Sequence, residues 1–64
     1  MKYHDAIKRV SIEYLADAER FINIALVAPS KYDLDKATAE IEAACGLATD
    51  RIKAVIAMLK GETE

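Results

Sequence analysis

Ala28-Pro29-Ser30-Lys31-Tyr32-Asp33 is the stretch that divides this chain. Proline disfavours the α region for the residue before it and removes a backbone donor, so a helix arriving from the N-terminal side is expected to stop at Ala28. Two residues can then start the next helix. Ser30 has Asp33 three positions on, and Asp33 follows Tyr32, which is placed as a hydrophobic staple. A second interruption is read at Gly46-Leu47-Ala48-Thr49, with Gly46 suited to a left-handed helix end and Thr49 to a new cap. Everything else is rich in helix formers. The expected fold class is therefore all-α: a long N-terminal helix over residues 3–28, two short helices over 34–45 and 50–60, and a polar tail at 61–64. Residues 1–60 form one small helical domain.

The first helix is the most informative element. Tyr3, Ile7, Val10, Tyr14, Asp17, Phe21, Ile24 and Ala28 recur at alternating spacings of three and four, the seam of a coiled coil with one polar member. A second stripe, Leu15, Ala18, Ile22, Ala25 and Leu26, lies about 100° around the same helix. Two stripes call for two neighbours. The β-branched run over residues 21–27 also admits a strand, although nothing nearby offers it a second one. On the second helix the apolar face holds Leu34, Ala37, Thr38, Ile41, Ala44 and Cys45; on the third it holds Ile52, Val55, Ile56 and Leu59, with Met58 at the edge.

Length sharpens the expectation. The first helix would span about 39 Å, the other two about 18 and 17 Å. Stacked end to end, the short helices cover the long one; side by side, they leave half of it bare. In a chain of 64 residues either arrangement has little interior. The small bundle is expected to be completed by homodimerisation through Ile7, Val10, Tyr14, Phe21 and Ile24, with Asp17 either at the rim of the seam, reaching water or Arg20, or buried and setting register.

Composition excludes several functions. Hydrophobic residues make up 53% and charged residues 31%, enough apolar surface for a folded chain. One cysteine rules out an internal disulfide framework and a multi-thiolate metal site. Cys45 reads as a small packed hydrophobe and His4 as a surface imidazole, so no nucleophile–base pair emerges. There is no Glu-x-x-His motif for a bundle metal site, and neither a cofactor nor a small-molecule substrate is implied. The longest strictly apolar run, residues 24–29, is far below the ~18 residues of a membrane span, and no signal-peptide pattern is read at the start. A cytoplasmic location is expected. Net charge is −2, which does not favour general binding to nucleic acid or membrane.

Residues 37–60 carry one resemblance. Ile41, Cys45, Leu47, Ile52, Val55, Ile56 and Leu59 surround Gly46 in the apolar pattern that resembles a helix-turn-helix, with Glu42 standing where that motif keeps alanine. The resemblance implies a transcriptional regulator that binds DNA as a dimer. Its recognition helix, residues 49–60, would enter the major groove and use Thr49, Arg51, Lys53 and Lys60. The bases would meet mostly alanine there, without Asn or Gln. The sequence therefore points first to a non-enzymatic protein–protein interaction module working as a helical homodimer with a protein partner, and second to a DNA-binding regulator.

Overall fold

The computed structural model describes residues 2–63, with side chains over 4–61. Two helices account for nearly all of it: α1, Lys2–Lys31, and α2, Leu34–Thr63. They fold back on each other as a helical hairpin, and among the described residues no strand occurs. Residues 21–27 lie within α1.

The turn is short because it is tightly capped. Only Tyr32 and Asp33 separate the helices, and so brief a connection makes them antiparallel neighbours. The Tyr32 amide donates to the Ala28 carbonyl at 3.0 Å, closing α1. Asp33, and not Ser30, caps α2: the Lys36 amide donates to Asp33 Oδ1 at 2.9 Å, and the Ala37 amide to the Asp33 carbonyl at 2.8 Å. Lys31 Nζ and Lys36 Nζ lie 5.8 and 4.6 Å from the centroid of the Tyr32 ring. Ser30 sits in the last turn of α1, which runs through Pro29. Proline's fixed φ is already helical, and this late in the helix it removes only the bond to the Ala25 carbonyl.

The larger correction concerns residues 46–49. The expected turn is absent, and the two short helices are one continuous α2. Gly46 has no positive φ. It occupies the exposed outer surface, where its cost is about 1 kcal/mol. Ala44 and Ala48, one on each side of it, are buried against α1 at 3% exposure each, and a break at Gly46 would uncover both. Packing on both sides outweighs one unfavourable propensity. The helix also continues to Thr63, through residues expected to be a tail; Glu64 lies outside the described residues.

The buried positions, with half-buried ones between them, define a heptad seam. On α1 they are Ile7, Ser11, Tyr14, Ala18, Phe21, Ala25 and Ala28; on α2, Ala37, Ile41, Ala44, Ala48, Arg51, Val55 and Met58. Both sets alternate spacings of four and three. A turn centred between residues 32 and 33 sets Ala28 level with Ala37, Phe21 with Ala44, Tyr14 with Arg51, and Ile7 with Met58. The Arg51 guanidinium carbon lies 4.9 Å from the Tyr14 ring centroid, which fixes that register.

The result is a slab two helices wide and one thick, with extents of 49 × 16 × 9 Å. Its radius of gyration is 14.8 Å, against about 11 Å for a compact chain of this length. No large side chain is fully buried among the described residues.

Candidate interaction surface

With alanines at most of the fully buried seam positions, many of the larger side chains lie beside the seam. Two flanks result. The first holds Lys8, Leu15, Ile22 and Pro29 of α1 with Thr38, Cys45, Ile52 and Leu59 of α2, and every one of these residues is exposed. The second holds Val10, Asp17, Ile24 and Lys31 with Glu40, Leu47, Ala54 and Gly61, and half of these are partly sheltered. Two residue levels apart along the hairpin, about 3 Å, Leu15 lies near Ile52 and Ile22 near Cys45, so the first flank carries an apolar strip. Ile12, Leu26 and Ile56 extend it outward, at 67%, 70% and 46% exposure.

The residues expected to self-associate divide between two places. Ile7, Tyr14 and Phe21 lie in the seam and are covered by the chain's own α2, so for them the expected partner helix is intramolecular. Val10, Asp17 and Ile24 lie on the second flank. Tyr3, the remaining aromatic of the expected seam, falls outside the described side chains. Asp17 is at the rim: Arg20 Nη1 donates to Asp17 Oδ1 at 2.6 Å, one turn along the same helix. Such an exposed pair contributes little stability.

The expected faces of the C-terminal half are met only in part: Ala37 and Ala44 are buried and Ile41 is half-buried, as expected. Val55 is buried and Met58 half-buried, whereas Ile52, Ile56 and Leu59 are exposed. Leu34 is 85% exposed, and Thr38, whose hydroxyl donates to the Leu34 carbonyl at 2.8 Å, is also outside the seam. Cys45, expected to be packed, is exposed. The sequence signal for the true seam is a recurrence of small residues every seven positions, Ser11, Ala18 and Ala25 on one helix and Ala37 and Ala44 on the other. It is masked by the larger residues next to it.

The residues read as a DNA-recognition set are also distributed. Arg51 is stacked on Tyr14 in the seam, Thr49 lies on the first-flank side, and Lys53 and Lys60 share the outer surface of α2. Cys45 and His4 are about 24 Å apart along the helix axis, sixteen residue levels at ~1.5 Å each. Among the described residues no three of His, Cys, Asp and Glu are grouped to hold a metal ion, and no helix is long and apolar enough to cross a membrane.

No protein-family model, no curated protein and no solved structure matches the chain.

Proposed function

We propose that this protein is a non-enzymatic interaction module that works as a helical homodimer. One observation carries the proposal: eleven large apolar side chains remain exposed among the described residues after the hairpin has closed. Burial of apolar surface is the main driving force of folding and association. A slab one helix thick cannot place these residues inside itself, because both of its faces are surface. Association of two slabs creates the interior that one lacks, as in a four-helix bundle.

Sedimentation equilibrium of the full chain over a hundredfold range of concentration tests it. The expected result is a mass of twice the chain that falls to one chain on dilution. A helical species of single-chain mass throughout that range overturns the proposal.

A further inference from the structure

Both flanks could receive another helix, but they are not equivalent in size, polarity or charge. The first is fully exposed and joins Leu15, Ile22, Ile52 and Leu59 into one strip. The second interleaves its apolar residues with Asp17 and Glu40.

The accessible surface gives the scale of what is uncovered. The chain exposes 5069 Å². A compact protein of its mass exposes about 4,100 Å². The surplus, on the order of 1,000 Å², is close to the ~800 Å² that each partner contributes to a standard stable interface. A second copy therefore supplies cover of the right extent.

Charge selects the orientation. Toward the open end of the hairpin the first flank carries Lys8 and the outer surface of the two helices Arg9 and Lys53, with Asp5 on the flank's edge as an opposing charge. Toward the turn the same edge carries Glu19, Asp35 and Glu42. The turn-end cations Lys31 and Lys36 are instead directed to the Tyr32 ring. Laid with turns at opposite ends, two copies bring each basic end to the other's acidic end. Laid with turns together, they bring like charges together, which is unfavourable at short range.

We propose that the Leu15–Ile22–Ile52–Leu59 flank is the docking surface for a second copy of this chain, laid antiparallel about a two-fold axis to complete a four-helix bundle. The inference rests on the interaction-module proposal and adds the surface and the orientation. An isologous interface needs a patch complementary to itself, and this one is apolar along its middle with opposite charge at its two ends.

Two measurements on the full chain test it. Ile22→Glu and Ile52→Glu are expected to raise the dimer dissociation constant at least 100-fold by sedimentation, while Ile24→Glu and Leu47→Glu on the other flank change it less than threefold. Equal effects, or the reverse order, overturn the assignment of the surface and leave self-association standing. Orientation is read independently of these variants, from a spin label at Ser30→Cys in a Cys45→Ser background. Antiparallel copies place the two labels about 35 Å or more apart along the bundle, twice the axial offset of residue 30 from its middle. A separation under about 20 Å, little more than the width of the helices between the labels, overturns the orientation. A chain that stays single at all concentrations overturns both this inference and the proposal beneath it.

Discussion

The seam and the first flank run side by side along the same two helices, and they use opposite kinds of residue. In the seam, Ala18, Ala28, Ala37, Ala44 and Ala48 are at most 4% exposed. On and beside the flank, Leu15, Ile22, Leu26, Ile52 and Leu59 are 37–70% exposed. Hydrophobicity alone would place the leucines and isoleucines inside. The difference teaches that a two-helix layer is limited by approach distance: small side chains let the backbones come close, and larger ones are displaced sideways. What a single hairpin leaves outside is then the more hydrophobic part of the molecule.

The contrast can be broken most directly by size. Ala48→Leu puts three extra carbons into the seam and is expected to cost about 1–3 kcal/mol in urea unfolding at fixed protein concentration. No loss of stability would mean that the seam is not closely packed. Polarity gives the next test. Ser11 is buried and its Oγ has no hydrogen-bond partner; Ser11→Ala is expected to raise stability by about 1 kcal/mol, because a buried unpaired hydroxyl carries a desolvation cost. Destabilisation would show that the hydroxyl is satisfied.

Gly46→Ala sharpens the comparison from the outer surface of α2. A Cβ added at Gly46 meets nothing within 4 Å, and φ there is not positive. The expected gain is ~0.8 kcal/mol, the propensity difference in a helix interior. A helix end in the left-handed conformation would give the opposite sign, so this substitution also separates one long α2 from two short helices. The smallest effect is expected at Leu34, which is 85% exposed beside the turn. Leu34→Ala should change unfolding stability by less than about 0.5 kcal/mol. A larger loss would place Leu34 under cover.

Some of the architecture was legible from residue types alone. The break before α2 could be narrowed to residues 28–33 because turn and cap signals act locally, but α1 runs on through Pro29 to Lys31, and only the structure chose Asp33 over Ser30 as the cap. Gly46 misled for the converse reason. Its signature is also local, but the deciding force is the burial of Ala44 and Ala48, on either side of it, against the other helix. The long seam of α1 was displaced by part of a turn, since Val10, Asp17 and Ile24 look like better seam members than Ser11, Ala18 and Ala25 when their neighbours are unknown. The apolar surplus could be anticipated from composition; which side of the hairpin carries it could not.

By itself the amino-acid sequence determined the helical class, a break within residues 28–33 and the excess of apolar surface, because each depends on backbone preference or on totals. Tertiary structure alone decided that α2 is unbroken, that alanines supply most of the fully buried seam positions, and that one flank is left open. Those outcomes depend on how closely two helices approach, which is a property of the pair and is written in neither helix separately.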